Sequence, residues 1–571
     1  MKKIIKYLFL LTGGSFILAS CNDFLDREPL DSVTPDNFFF TENDLAAYAV
    51  KHYNFTTHEG FNAGIWKNDN ATDNQAATDY DKKWIPGQWK VPEAYDNPAS
   101  NDPWYFSTIR EANYFLETVV PRFEKGEIEG SETNIKHYIG EMYFLRAKNY
   151  LSKLETFGDF PIIKNTLPDE SESLIQASKR APRYKVAHFI LEDLDQAISL
   201  LTNNISGGKN RITKNAALLL KSRAALFEAS WLTYHKGTAL VPGGPGWPGK
   251  AEDIADFNID TEIAFFLKEA KAAAKEVIGN AALVQNTAKD CMDETVKTDE
   301  DKYKMSNPYF AQFSANSLEG YSEILMWRAY NLLDYKIVHS APFYIRVGGN
   351  TGFTRQYIES FLCRDGKPIY ATDQYKGDES LLNVRKNRDL RLQLFLMTPG
   401  ETLSPNVMNG TPDLLPEVPQ LLDITEKRCV TGYQVRKGLS GNWYRDGNTA
   451  IEGCPVYRAA EAYLNYIEAD CMEHNGTSIG SEAAGYWGDL RERAGLPRDY
   501  TVTVNNTDLS KELDWAIYSA GKLVSPLLYN IRRERRNELC AEAYRWTDLK
   551  RWRALDQMKV NPYRIEGMLY W

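Results

Sequence analysis

Residues Ile531 to Trp552, IRRERRNELCAEAYRWTDLKRW, constrain this chain more than any other stretch, because ten Arg, Lys and Glu side chains are packed among aromatics. At helical spacing Glu534 and Glu538 fall one turn apart on one face. Arg535 and Arg545 can each reach a carboxylate three residues away, at Glu538 and Glu542. Leu539, Ala543, Trp546 and Leu549 would form an apolar stripe beneath them. A solvated helix face could carry such charges, but carboxylates four apart repel there, and Tyr544, Trp546 and Trp552 are costly to leave in water. The expectation is a helix whose Arg and Glu side chains form a partly buried lattice with neighbouring elements.

The N-terminus reads as an address. Lys2, Lys3 and Lys6 precede an apolar run from Tyr7 to Ala19, broken by Thr12, Gly13, Gly14 and Ser15 and too short to span a bilayer. It ends Leu18-Ala19-Ser20-Cys21, which resembles the lipobox at which bacterial lipoproteins are cleaved and acylated. Residues 1–20 are thus expected to be a signal peptide, Cys21 the lipidation site and residues 21–40 a tether. Acyl chains on Cys21 would hold an otherwise soluble body to a membrane leaflet. Cleavage would move the formal charge from −10 to −13, a balance that disfavours nucleic acid as a partner.

From Thr41 to about Leu283 the pattern is helical almost throughout. Helices are expected from Thr41 or Asn43 to Tyr53, from Trp104 to Val120 with Pro121 as the stop, and from Asn134 to Phe157 before Gly158. Two more are expected over Tyr184 to Leu201 and Thr213 to Trp231, where Ala216, Ala217, Ala224 and Ala225 let a neighbour approach closely. The spacing predicts stacked antiparallel helix hairpins over 41–283, without the consensus tetratricopeptide pattern. Between 284 and 453 Gly, Pro, Asn and Asp become frequent and short β-type runs appear, such as Glu323 to Ala329 and Phe343 to Val347. Helices resume over 454–571, with Ala460, Leu464, Ile467 and Cys471 on one stripe and a further helix over Tyr486 to Leu496.

No catalytic signature fits its context. Gly476-Thr477-Ser478-Ile479-Gly480 matches G-x-S-x-G but follows a helix end rather than a buried strand. Gly244 to Lys250 approaches a phosphate loop, yet Ala251 stands where a Ser or Thr would bind magnesium. Seven cysteines offer no C-x-x-C pair and no Cys/His cluster at metal spacing, so a zinc site is not expected. Cys454, Cys471 and Cys540 read as small buried hydrophobes, and a disulfide pairing is not legible. Among 77 acidic residues no pair stands out for glycoside hydrolysis.

Aromatics instead gather in polar loops. Trp66, Tyr80, Trp84, Trp89 and Trp104 are interleaved with Asn68, Asp69, Asn70, Asp73, Asn74 and Asp79. A sugar offers apolar C–H faces and a rim of hydroxyls, which flat rings beside short amides and carboxylates complement. Trp104 begins a helical stripe and is expected to be structural. The candidate ligand residues are Trp66, Tyr80, Trp84 and Trp89, together with Trp247 in a Gly/Pro loop and Tyr344 with Arg346 in the 284–453 region.

The run I-R-R-E-R-R-N-E-L followed by A-Y-R-W-T-D-L-K-R-W resembles the C-terminal signature of the SusD/RagB family, surface glycan-binding lipoproteins that sit on TonB-dependent transporters. LRAKNYLSKLETFGDFPII and the tether Asn22 to Pro29 are similar to the same family. So are Gly352-Phe353-Thr354, Tyr357 to Phe361, Asp365 to Pro368, Asn387 to Arg391 and Thr431-Gly432-Tyr433, in that order. The resemblance implies a mainly α fold in one SusD-like domain, a tetratricopeptide-like helical solenoid of degenerate units with a large irregular, loop-rich insertion. It implies a ligand site built from N-terminal loops and the insertion. It further implies a non-catalytic glycan-binding lipoprotein of the outer membrane, facing the exterior, with a SusC-like TonB-dependent transporter as partner and no cofactor. Oligopeptide uptake of the RagB type is the nearest variant; a surface glycoside hydrolase and a pure protein scaffold are the competing classes. Family members run on for tens of residues beyond the position of Tyr570-Trp571, so a truncated last layer is expected.

Overall fold

The computed structural model describes residues 38–85, 104–288, 307–334, 336–400, 402–404, 413–414, 420–423, 425–440, 448–559 and 564–569. The signal peptide, Cys21, most of the tether, Trp89 and the final two residues lie outside them.

Helix α1 (Glu42–Lys51) opens with a capping box: the Thr41 hydroxyl accepts from the Asp44 N–H, and the Asp44 carboxylate accepts from the Thr41 N–H. Then follow α2 (Ser107–Glu124), α3 (Glu132–Phe157), α4 (Arg183–Leu200), α5 (Lys214–His235) and α6 (Ile259–Asn280). Pro121 does not stop α2 as expected. It sits in the last turn, where it costs only the one bond its missing N–H would have given the Glu117 carbonyl, and the helix ends at Glu124 with Lys125 as its cap. Gly158 ends α3 at φ +74°, a conformation that favours glycine.

Each helix from α2 to α6 packs against the next, as an antiparallel stack requires. The stack then continues into α7 (Ala460–Glu473) and α8 (Ser481–Arg493). α6 and α7 are neighbours although residues 281–459 intervene, so the irregular region is looped out of a continuous helical layer. Among the described residues no helix is long and apolar enough to cross a membrane.

The looped-out region builds its own core around Phe310, Phe313, Phe353, Phe361, Phe395 and Tyr433. The strands of the described residues form four two-stranded antiparallel ladders: β1 (Gln75–Ala77) with β3 (Thr351–Phe353), β2 (Ile324–Arg328) with β6 (Cys454–Arg458), β4 (Thr402–Ser404) with β5 (Asp413–Leu414), and β7 (Tyr518–Ser519) with β8 (Lys522–Leu523). The β-type reading of 323–329 corresponds to β2. The one of 343–347 does not: Pro342 at the start and Gly348 at the end frame a short helix, Ala341–Val347.

The C-terminal signature departs from the single helix expected of it. α9 (Pro526–Glu538) and α10 (Arg545–Arg551) are separated by a joint in which Ala541 and Ala543 adopt φ +63° and +69°. The Ala541 N–H there donates to Asp69 Oδ2 at 2.8 Å, so a tertiary bond replaces the helical one. Arg535 and Arg545 accordingly do not pair with Glu538 and Glu542. Arg535 reaches Asp548 at 2.8 Å, and Arg545 reaches Asp73 and Asp514 at 2.6 and 2.5 Å.

Glu534 and Glu538 do share a face of α9, and what reconciles them comes from elsewhere. Arg391 spans both, at 2.5 and 3.2 Å. Glu538 also takes Arg493 of α8 at 2.8 Å and Arg458 of β6 at 3.1 Å, while both arginines grip Glu323 at 2.5 Å. Burial works to raise the Glu538 carboxyl, but Arg493, Arg458 and Arg391 outweigh it and hold it at about 2. The expected lattice is therefore fully buried, and it locks insertion, β6 and α8 onto α9.

Candidate functional site

The asparagine- and aspartate-rich loop that follows α1 is held by this lattice. Asp73 takes both nitrogens of Arg545, and Asn74 Oδ1 accepts from Arg536 Nε at 2.7 Å. Asp69 accepts from Asn74 Nδ2 as well as from the Ala541 N–H. Asp69, Asp73 and Asn74 are all buried, so they are structural acceptors and not the ligand-facing groups their composition suggested.

Two tryptophans of that region are core residues. Trp66 is 1% exposed; it meets Phe313 edge to face at 5.7 Å and lies against Gly438, where a Cβ would stand 2.0 Å from its Nε1. Trp84 is also 1% exposed, set edge-on to Trp515 at 5.0 Å and Trp546 at 5.5 Å, with Nε1 donating to the Ala71 carbonyl. Neither offers a ring face to a ligand, which corrects both expectations: apolar burial outweighed the polar neighbours. Trp104 stacks on Phe157 at 4.1 Å, the structural role expected of it.

The remaining candidates separate into two places. Trp247 is half-buried in the α5–α6 loop, its Nε1 donating to Asp159 Oδ2 at 2.7 Å, and so belongs to the helical layer. Tyr80 follows β1, and Tyr344 and Arg346 lie in the short helix Ala341–Val347 that precedes β3. The β1–β3 register pairs Ala77 with Thr351, so the segment running to Tyr80 and the Gly348–Asn350 turn leave the ladder at the same end. Tyr80 is 43% exposed, and Tyr344 and Arg346 are half-buried.

The backbone under Tyr344 and Arg346 is fixed. Gln434 Nε2 donates to the carbonyls of Ile345 and Arg346, both at 2.9 Å. Gly348 stands at φ +105°, and a Cβ there would come within 2.8 Å of the Arg428–Cys429 backbone. Phe343, which the sequence reading did not single out, packs edge to face on Tyr344 at 5.3 Å and carries the Arg346 guanidinium at 5.8 Å. Its adjacency to Tyr344 was the available signal, obscured by reading the run as a strand. The result is a platform of two rings and a cation on a fixed backbone, able to combine apolar contact with hydrogen bonding.

The G-x-S-x-G segment is a helix-terminating turn: Asn475 and Gly476 have positive φ, and the Gly476 N–H bonds back to the Cys471 carbonyl. Cys363, Cys429, Cys454, Cys471 and Cys540 are buried free thiols. The described residues contain no group of three or more His, Cys, Asp or Glu side chains that could hold a metal ion.

A family model described as "SusD family" matches residues 296–570, and one described as "Starch-binding associating with outer membrane" matches residues 23–226. The chain belongs to the SusD family. SusD-like protein P2 of Formosa agariphila is 25% identical over 550 residues, spanning 94% of this chain and 88% of its own. A solved SusD-like protein of Bacteroides fragilis superposes with a TM-score of 0.60 at 23% identity, covering 92% of this chain and 89% of its own. A SusD-like carbohydrate-binding protein of the same species gives 0.57 at 18% identity, covering 91% and 88%. The SusD fold, a mainly α, tetratricopeptide-like helical superhelix, is thus common to these chains.

Proposed function

We propose that this SusD-family protein captures a glycan at the cell surface, without breaking it, and passes it to a SusC-like TonB-dependent transporter. The observation that carries the reading is the match to the SusD family in both halves of the chain, one of whose models is described as starch-binding and associated with the outer membrane. The ring platform of Phe343, Tyr344 and Arg346, with Tyr80 on the segment that leaves the same end of the ladder, is our assignment for the capture surface. Trp89 stays a candidate for the same surface on composition alone. Acylation of Cys21 would anchor the protein to the outer membrane facing outward, and the helical layer would supply the transporter contact.

Release into a channel calls for weak binding, roughly micromolar to millimolar, which a shallow platform provides. Affinity electrophoresis through gels containing a panel of plant, microbial and host polysaccharides tests the reading. Retardation by at least one polysaccharide, recovered intact, is expected. Cleavage of the polysaccharide would replace capture by hydrolysis, and retardation only by peptides would move the protein to oligopeptide uptake.

A further inference from the structure

The start of α2, the 161–167 segment and the short helix Ser171–Ala177 surround an apolar cavity. Its volume is about 380 Å³, within the roughly 300–1,000 Å³ of small-molecule pockets. Trp104, Phe106, Ile109, Pro161, Ile163 and Leu174 supply its apolar wall. No residue of the short helix is buried, although Leu174 lies on the wall and Ile175 follows it. Walls of this kind hold water poorly, so the space suits an apolar body.

A stack of near-parallel rings ends at this cavity. Phe160 lies 5.6 Å from Trp104 at 20° and 5.1 Å from Phe106 at 13°. Trp104 is further covered by Phe157 at 4.1 Å and by the Arg180 guanidinium at 4.6 Å. Phe106 has Phe160 on one face and, among the described residues, no ring or cation on the other. A flat ring in the cavity would extend the stack from that face.

The polar groups of the wall are unequally engaged. Asn113 is saturated: its Nδ2 donates to the Ile163 and Asn165 carbonyls at 2.9 and 3.2 Å, and its Oδ1 accepts from Arg146 at 2.9 Å. Ser178 Oγ donates to the Leu174 carbonyl at 2.7 Å. The side chains of Arg110 and Asn165 line the cavity too, and neither has a hydrogen-bond or ion-pair partner among the described residues. Arg110 stands one turn before Asn113 on α2, and Asn113 holds Asn165, so both lie on one side of the cavity.

The carboxylates near Arg110 in the chain do not neutralise it. Glu111 faces His52 at 3.4 Å, and Asp169, Glu170 and Glu172 beside the short helix form no ion pair with Arg110. The group that feels its charge is the phenol of Tyr48. The cavity therefore offers a ring face, apolar walls and a guanidinium able to grip a carboxylate.

We propose that this cavity binds a small aryl carboxylate, its ring on Phe106 and its carboxylate on Arg110 and the Asn165 amide. The site is independent of the glycan platform and draws on none of its residues.

Isothermal titration calorimetry of the purified protein with trans-cinnamate, cinnamyl alcohol and hexanoate tests this. Cinnamate is expected to bind at least about tenfold more tightly than the alcohol, which lacks the charge, or hexanoate, which lacks the ring. Arg110→Gln, at an exposed position, is expected to weaken cinnamate about tenfold and leave the alcohol unchanged. Leu174→Trp, also at an exposed position, should fill the cavity and abolish binding, and polysaccharide retardation should be unchanged in both variants. No saturable heat from millimolar cinnamate with cooperatively melting protein would overturn the proposal, as would unaltered cinnamate affinity in either variant. Alcohol or hexanoate binding as tightly as cinnamate would overturn the ligand class. Loss of polysaccharide retardation in folded Leu174→Trp would also overturn it, by giving the cavity to the glycan.

Discussion

Arg545 closes on Asp73 with both ends of its fork, Nε to Oδ1 at 2.7 Å and Nη2 to Oδ2 at 2.6 Å, across 472 positions of sequence. Both side chains are buried, and the pair ties the C-terminal signature to the loop that leads into β1. Removing one partner of such a pair strands the other charge away from water, at a cost of about 3–5 kcal/mol. Arg545→Met is therefore expected to lower the unfolding free energy by about that amount in urea denaturation. Arg545→Lys should recover little, because an ammonium cannot bridge both oxygens. A loss below about 1 kcal/mol in Arg545→Met would contradict the role assigned to the pair.

That pair also marks where the sequence stopped being legible. Periodicity carries separations of three and four residues, so it placed Glu534 and Glu538 together and foresaw a charge lattice. It also assigned Arg535 and Arg545 to local carboxylates, whereas their partners come from α10, Asp73 and Asp514. The break at Ala541 and Ala543 carries no glycine or proline; tertiary bonds such as Ala541 N–H to Asp69 impose it. For the same reason the Asn/Asp loop looked like a sugar rim when it is the acceptor set for Arg536 and Arg545. Composition could name Tyr80, Tyr344 and Arg346 as candidates, but not the ladder that brings their segments to one end.

Trp84 and Tyr344 should separate packing from binding. Trp84→Ala empties a site between Trp515 and Trp546 and is expected to cost about 3–5 kcal/mol, read as a lowered urea midpoint. The folded fraction should still be retarded by polysaccharide. Tyr344→Ala is expected to leave the midpoint nearly unchanged and weaken retardation roughly tenfold, or about 1.4 kcal/mol. Unchanged retardation in a folded Tyr344→Ala and Tyr80→Ala double variant would remove the platform assignment.

Acid should unfold the protein through its buried lattice. Burial alone would raise the Glu468 carboxyl, but the charge and hydrogen bonds of Arg551, with Arg535 and Trp552, hold it at about 2. A carboxylate depressed in the folded state contributes stability above its unfolded value near 4.3 and loses it as pH falls toward 2. The loss for Glu468 is on the order of 3 kcal/mol. Asp69 and Asp389, raised by burial, act in the opposite sense because they bind a proton more readily when folded. Urea titrations at pH 7, 5, 4 and 3 should show most of the fall below pH 5. Glu468→Gln should be less stable at pH 7 and less sensitive to acid, and a slope as steep as that of the wild type would count against Glu468 as a contributor.

The joint between α9 and α10 invites a substitution that stabilises. Alanine in the left-handed region costs about 1–2 kcal/mol, because its Cβ crowds the backbone, whereas glycine avoids that cost and gives back part of it as unfolded-chain entropy. Ala543, at φ +69°, is exposed, so its methyl contributes little packing. Ala543→Gly is therefore expected to gain roughly 0.5 kcal/mol. Ala541, at φ +63°, is fully buried, and losing its methyl offsets the relief, so Ala541→Gly should be close to neutral. Ala543→Val should lose more than about 1 kcal/mol, since a β-branched side chain resists positive φ. Urea denaturation of the three variants orders them, and a stable Ala543→Val would mean that the joint leaves this conformation without penalty.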